Sequence, residues 1–496
     1  MDRIIASGFP PSRPLLIAAG AGAAASVLWY LWWEAQRAQK WPPLAKGPKF
    51  TLWENIKNFA INPDNSPILL EEAAKEYGPV FRLNIPGPPA MVCIADAEMA
   101  KGFLESNLGD KSTFHKEFEA IQNSPSIFTR DTTDKAWLVA RKGAAPAFSN
   151  SSLNRVHGRL LSQISRLTSM LDDHERTGDL VDLPTVFTRL TMDVLFATMF
   201  DEEGGSLDGT GDGARLLELI PPVMVEINAY RAMNPLRKYM LFLPGVRGSN
   251  AKMREINKIC QRILDGYRNS RSQEEIAADA GVLSHLVRIP YKNDTERLAD
   301  LVSFVIAGYD TTAFSLSWIF KEIAEHPEAV DKMRKELDVI NPSRGMFSHE
   351  QLDQLSYTEW VIKEGLRMWP VAVGVIRDTT REGTIGGFTV PKGAQVFVVF
   401  NVISRHGVRD GMKFMPERWE ASHPDTDLLA RVTEGTTFGL GKRNCVGQSL
   451  AKREMRAVVA ALVQNFDFSL KTNIVPKVSL TWYPSNALFK VSRRTE

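Results

Sequence analysis

The sequence predicts a mainly α-helical domain with a smaller β-rich part, preceded by one transmembrane helix. Three stretches carry that prediction: an uncharged run at 15–33, a helical pattern over 294–325, and a Gly-containing loop at 438–448. The loop holds a single cysteine, Cys445, and leads directly into a helix-like run at 449–462. With 496 residues, 44% hydrophobic and 24% charged, the chain has ordinary globular composition and length enough for a large buried core. No repeat, low-complexity tract or long linker divides it after residue 50. The expected organisation is therefore a tail at 1–14, an anchor at 15–33, a basic and Pro-rich hinge at 34–50 and a single domain at 51–496. A net charge of +2 supplies no electrostatic reason to expect nucleic acid as a partner. Cys93, Cys260 and Cys445 are widely separated and odd in number, which fits a reducing compartment with no disulfide framework.

In chain order, the run at 15–33 ends in a Trp/Tyr cluster suited to a membrane interface, and its length favours a retained anchor over a cleaved signal peptide. Positive charge is heavier after it (Arg37, Lys40, Lys46, Lys49) than before it, so the body of the protein should face the cytosol. Pro42, Pro43 and Pro48 then stiffen the exit. Residues 66–78 read as an amphipathic helix stopped at Gly78-Pro79. Residues 80–85 and 90–94 read as a strand pair turned at 86–89, which puts Cys93 in a strand as an inert core thiol. Residues 108–135 are polar and irregular. Trp137 and Arg141 share a helix face at i, i+4; alone, this is a solvated Arg beside a core Trp. Helical patterns cover 153–175 and 186–200. The segment 208–213 imitates a calcium loop but has Leu219 where the last carboxylate ligand belongs, so it reads as a solvated connection. Residues 239–244 form an apolar patch that serves either core packing or contact with a bilayer.

The stretch 294–325 is capped by Asn293 or Asp294 and closed before Pro327, and would span roughly 45 Å. Its apolar middle suggests a membrane span, but Asp310, Thr311 and Thr312 at the centre favour a buried helix in a bundle, because an unpaired carboxylate in lipid is costly. Ala307-Gly308-Tyr309-Asp310-Thr311-Thr312 places poor helix formers in mid-helix. One reading is a kinked core helix with hydroxyls bonded back to carbonyls; the other is a functional site. Residues 357–369 form a further helix with Glu364 and Arg367 at i, i+3, ordinarily a surface ion pair. Residues 370–376 are apolar, and 386–400 are strand-rich.

Cys445 lies where free N–H groups and the positive end of a helix dipole favour an anionic sulfur. Structural zinc would need further Cys or His nearby, and none flanks it. A nucleophile would need a His base that the sequence does not locate. A phosphate loop fails because position 436 is Thr and Arg443 replaces Ser/Thr. Axial ligation of haem iron needs only one cysteine. Taken alone, the stretch leaves a buried free thiol in a tight turn as the commonest outcome.

The order Phe438, Gly441, Arg443, Cys445, Gly447 closely resembles the haem-binding loop of the cytochrome P450 family, and the resemblance runs from about residue 42 to the end. It implies the cytochrome P450 fold, with a long central helix over haem b and a thiolate loop before a C-terminal helix. Cys445 then matches the axial ligand of the haem iron. Trp137, Arg141 and Arg377 match propionate contacts, and Phe438, Gly441, Arg443 and Gly447 shape the loop. Ala307 and Gly308 match positions that make room over the haem, and Asp310 and Thr311 match the pair that delivers protons during O2 activation. Glu364, Arg367 and Arg418 match a buried structural triad. Substrate would lie against Phe304, Ala307, Val371, Val373, Val375, Ala487 and Leu488. Arg405 and His406 stand in swapped order on a shortened spacing, which removes the basis for a haem contact from either.

The implied activity is insertion of one oxygen atom from O2 into a lipophilic or amphipathic small molecule, in secondary or lipid metabolism. Peroxide isomerisation or dehydration on the same haem is a second enzyme reading, disfavoured by Asp310-Thr311. A non-catalytic haem sensor or carrier has no need of that pair. No flavin or nicotinamide fingerprint is present, so electrons come from outside. The resemblance implies NADPH-cytochrome P450 reductase, with cytochrome b5 as an optional second donor, at the endoplasmic reticulum membrane. Lys142, Lys442, Arg443, Lys452 and Arg453 are either a docking face for an acidic donor or ordinary solvated charge.

Overall fold

The central helix forms over Asp294–Glu325, where the pattern places it, capped by the Asn293 side chain accepting from the Glu296 N–H at 3.0 Å. His326 and Pro327 end it, and the next helix, Pro327–Ile340, begins at once. In this computed structural model the described residues are 63–83, 91–231 and 235–495, together with Pro42, Glu54, Lys57 and Asn58. The predicted tail, anchor and turn at 86–89, and all of the hinge except Pro42, lie outside them. Among the described residues no helix is long and apolar enough to cross a membrane.

Two apolar clusters meet along the central helix. The first takes Ala313, Leu316, Ile319, Phe320 and Ile323 from its C-terminal half and packs them with the helices Asn150–Thr177, Leu183–Leu195, Ser356–Met368 and Gln448–Asn465. The second takes Leu301, Val302, Phe304, Val305, Ile306 and Tyr309 and packs them with Gly211–Val225, Pro244–Asn269 and Val282–Arg288. The polar triplet Asp310-Thr311-Thr312 therefore falls at the seam between two cores, where interrupting an apolar stripe sacrifices least burial. The helix stays unbroken there, and Thr311 donates back to the Ala307 carbonyl at 3.0 Å, as one of the two sequence readings anticipates.

The β part is a five-stranded sheet in the order Val80–Leu83, Met91–Ile94, Gln395–Val399, Gly374–Thr379, Gly109–Lys111. Met91–Ile94 and Gln395–Val399 are parallel and the other pairings antiparallel. All four residues of each of the first two strands are buried, Cys93 among them. Residues 108–135 are more ordered than the sequence suggests: they hold the edge strand, a 3-10 turn at Thr113–His115 and the helix Lys116–Gln122. The calcium-like loop ties its acids to arginines, Asp208 to Arg166 and Asp212 to Arg262, and no acidic or His/Cys cluster suited to a metal ion occurs among the described residues.

Candidate functional site

The cysteine loop is closed by its own backbone: the Cys445 N–H donates to the Phe438 carbonyl at 2.7 Å, and Gly441–Arg443 forms a 3-10 turn between them. Gly441 has φ +68°, and a Cβ there would stand 2.7 Å from the Leu104 carbonyl oxygen, so both conformation and space demand glycine. Gly447 differs. A Cβ there would meet nothing closer than Phe148 at 3.8 Å, and its φ of −85° imposes no strain. Protein neighbours leave space open there, which is compatible with a flat group approaching the backbone. Burial pushes the Cys445 thiol up, while the Gly447 and Gln448 N–H groups, Arg141 and Lys452 pull it down. The helix start therefore offers the expected donors without outweighing the surrounding protein; a metal cation held by the sulfur would favour the thiolate further. Cys445 is accessible at its surface yet surrounded by enough protein for burial to shift its thiol, whereas Cys93 and Cys260 are closed in the core and have thiols raised by burial, Cys260 to about 12.

Beside the loop lies an excess of positive charge. Arg443 lies over the Trp137 ring at 4.4 Å, donates to the Ile127 carbonyl at 3.2 Å and approaches Asp110 at 3.5 Å, yet its buried Nε has no partner. These contacts take Arg443 off any docking face. Arg377 is buried on its strand, in register with Lys111, and its one side-chain bond among those described goes to the adjacent Ile376 carbonyl. Burial, with Arg377 and Arg443, holds the Lys111 amine well below its ordinary value, and burial with Lys111 does the same to His115. Asp110 is the countercharge shared by Arg443, Arg377 and Lys111. Like charges gathered around one carboxylate suit a ligand carrying carboxylates of its own, and two guanidiniums can grip it bidentately. Arg141 donates to the Asn444 side chain at 2.5 Å, next to Cys445.

At the seam, Ala307 is exposed and Thr311 half-buried although Val305, Ile306, Tyr309, Asp310, Thr312 and Ala313 are buried, so that face of the helix lines an internal cleft. Asp310 is buried; Thr481 donates to its Oδ2 at 3.3 Å and its Oδ1 has no partner. Burial raises this carboxyl to about 7, against the hydrogen bonds from Thr481 and the Thr311 N–H. The glycine at 308 serves a protein contact: a Cβ there would sit 2.5 Å from Leu195, and one turn earlier on that helix Thr191 donates to the Tyr309 carbonyl at 2.7 Å. Of the two positions expected to make room for a ligand, Ala307 is the open one, and the room at Gly308 admits Leu195.

Phe304 is buried against Phe148, with ring centroids 6.0 Å apart. Val371 accepts from the Trp482 N–H at 2.7 Å; Val373 and Val375 are half-buried beside the sheet. Ala487 is fully buried in the first core, and Leu488 is paired with Asp182 in a strand, so the C-terminal hairpin meets the central helix through Thr481 and Trp482 instead of these two. Glu364 and Arg367, fully buried, and Arg418, 1% exposed, form one network. Arg405 and His406 both bind Glu71 of the helix Ser66–Tyr77, at 3.1 and 3.0 Å. Sequence reasoning missed Thr481, Asp110, Lys111, His115 and Asn444. No local pattern marks them, because their partners lie in distant segments.

A lone cysteine before a helix start and buried cations short of countercharge fit a haem held through a thiolate and through its carboxylates. The family model described as Cytochrome P450 matches residues 46–491, and the chain belongs to that family. It is 28% identical to Cytochrome P450 3A7 of Homo sapiens over 426 residues, covering 80% of each chain. It is 25% identical to Cytochrome P450 76C3 of Arabidopsis thaliana over 448 residues, covering 86% of this chain and 85% of the relative. The fold matches the crystal structure of the cytochrome P450DA heme domain with TM-score 0.79 at 20% identity, over 92% of this chain and 98% of that one. The protein is accordingly a monooxygenase that uses haem held by a cysteine thiolate, O2 as co-substrate, an external electron donor and a small-molecule substrate.

Proposed function

We propose that this chain hydroxylates or epoxidises lipophilic or amphipathic small molecules, in lipid or secondary metabolism, at the endoplasmic reticulum membrane. The observation that carries the reading is Asp310: a buried carboxyl with one free oxygen, poised near neutrality beside Thr311 in the cleft wall. Cys445 is the thiolate ligand, and Trp137, Arg141, Arg377 and Arg443 hold the propionate side. The haem so bound supplies O2 activation. Phe304 and Ala307 exclude water and seat the substrate. Asp310 would pass its proton to the Thr311 hydroxyl, which would turn from the Ala307 carbonyl and release its own proton to the oxygen being reduced, and solvent would return a proton to Asp310. Electrons come from NADPH-cytochrome P450 reductase, with Lys142 and Lys452 on the docking face.

Turnover with NADPH and reductase, against a panel of terpenoids, fatty acids and aromatics, separates a catalyst from a haem sensor or peroxide isomerase. Asp310→Asn should lower coupled turnover by about 10², the range for loss of one proton donor. The sign of the pH effect follows from burial. The folded carboxyl keeps a proton that the unfolded chain releases between about 4 and about 7, so its contribution to stability is full below that window and lost as pH rises through about 7. Coupling should fall over the same rise in wild type and be flat in Asp310→Asn, read as product formed per NADPH consumed. A wild-type profile flat from about pH 6 to about 8 would remove Asp310 from the relay.

The membrane reading draws on the segment at 236–242 as well as on residues 15–33. Leu236, Tyr239, Leu241 and Phe242 are 66%, 72%, 58% and 74% exposed. So many open apolar side chains in one short segment mark a surface for lipid or a partner. With the full chain in vesicles, Leu241→Asp/Phe242→Asp should slow uptake of a membrane-dissolved ligand several-fold, read by stopped-flow spectral shift, and leave binding in detergent unchanged. Equal slowing in both media would assign the segment to the fold.

A further inference from the structure

The loop that follows the helix Lys116–Gln122 ties the two sides of the site together. Asp300, fully buried on the second turn of the central helix, accepts from the Ile127 N–H at 2.5 Å and from the Tyr291 hydroxyl at 2.5 Å. The carbonyl of the same residue, Ile127, accepts from Trp137 Nε1 at 3.2 Å and from Arg443 Nη1 at 3.2 Å. Ile127 is held in a tight turn, with the Ser126 N–H on Thr129 Oγ1 at 2.9 Å and the Thr129 and Arg130 N–H groups on the Ser126 carbonyl at 3.0 and 2.9 Å. Two further ties repeat the pattern on either side. Arg130, 4% exposed, reaches Glu296 of the central helix at 3.0 Å, and Thr132 bonds Asp110, the countercharge of Arg443, through N–H at 2.9 Å and hydroxyl at 2.6 Å.

We propose that Asp300 is a positioning residue for the cofactor side of the site: by fixing the Ile127 backbone to the central helix it sets where Trp137 and Arg443 stand. Haem retention then depends on a carboxylate that touches neither haem nor substrate. The inference rests on the reading that Trp137 and Arg443 hold the propionate side. Burial raises the Asp300 carboxyl to about 6, against the pull of Tyr291, the Ile127 N–H and Arg130, and each of its two oxygens accepts one of the bonds. Charge-assisted bonds of this kind in a dry setting are among the stronger ones available to a loop.

The test uses the haem-loaded full chain and follows haem transfer to excess apomyoglobin together with amide exchange at residue 127. Asp300→Ala should speed haem release about tenfold, equivalent to about 1.4 kcal/mol, and expose the Ile127 amide to exchange. Asp300→Asn keeps an acceptor oxygen and should restore both towards wild type. Arg443→Ala separates the two levels of the argument. If it leaves release unchanged, the propionate reading fails and this inference with it. If it speeds release while Asp300→Ala does not, the inference alone is overturned. Wild type supplies a measurement independent of any variant: the Ile127 amide should be protected to the degree of the central-helix amides near Val302, and fast exchange there would refute the tie.

Discussion

Cys445→Ser is expected to abolish the red-shifted Soret band of the reduced, carbon-monoxide-bound protein, and all monooxygenase turnover with it. The substitution removes the sulfur and little else. The Cys445 N–H bond to the Phe438 carbonyl is a backbone contact, Gly441 keeps its φ of +68°, and the helix Gln448–Asn465 begins after the change. The loop should therefore persist and the protein stay folded. A serine hydroxyl, far harder to ionise than a thiol, meets the same burial that already pushes the Cys445 thiol up. The loop N–H groups and Arg141 do not offset that burial for sulfur and will not for oxygen. Cys93→Ser and Cys260→Ser are the controls: both side chains are buried in apolar clusters, and both variants should keep the band, at some cost in stability. The measurement is the carbon-monoxide difference spectrum at matched haem content. Survival of the band in Cys445→Ser would sink the assignment of the ligand.

What the sequence made legible is what short-range physics decides. The central helix is bounded by an Asn cap and a proline within a few residues of its ends, and the cysteine loop carries Gly439 and Gly441, whose positive φ is a local requirement. Contacts between distant segments were not legible. Thr481 reaches Asp310 across 171 residues, and Ile127 reaches Asp300 across 173, with nothing in either neighbourhood to announce the pairing. Gly308 shows the same limit at a position that was singled out: its smallness was visible, but that Leu195 uses the space was not. Ala487 was expected on the pocket wall in a C-terminal turn; the strand Leu488–Arg493 that follows pairs with Phe466–Leu470 and Val181–Asp182, and Ala487 lies in the core. Irregular polarity over 108–135 hid a sheet edge, since a three-residue strand is too short to show alternation.

Glu364→Ala should be the most destabilising single substitution in the chain, by about 3–5 kcal/mol, the cost of leaving buried charge uncompensated. Its carboxylate is fully buried and accepts five hydrogen bonds from four residues. Arg367 grips both oxygens, through Nε at 2.9 Å and Nη2 at 2.8 Å; Arg418 Nε bonds Oε1 at 3.0 Å, the Met415 N–H the same oxygen at 3.1 Å and Trp419 Nε1 the other at 2.9 Å. One anion thus neutralises two cations, and its loss strands Arg367 and leaves Arg418 only the more distant Asp425, at 3.9 Å. Arg418→Leu should cost less. It removes one of the two cations and leaves Glu364 paired with Arg367, although the Arg409 and Asp410 carbonyls lose donors at 2.9 and 3.2 Å. The same guanidiniums hold the carbonyls of Ser404, Gly411 and Lys413, so the triad fixes the backbone over 404–413 that leads to the helix Thr426–Thr436 and the cysteine loop. Glu364→Ala should consequently lower the thermal midpoint, loosen near-ultraviolet dichroism and reduce haem content together, whereas Cys445→Ser leaves the first two unchanged. If Glu364→Ala instead melted like wild type and lost only haem, the network would belong to the cofactor site and not to the scaffold beneath it.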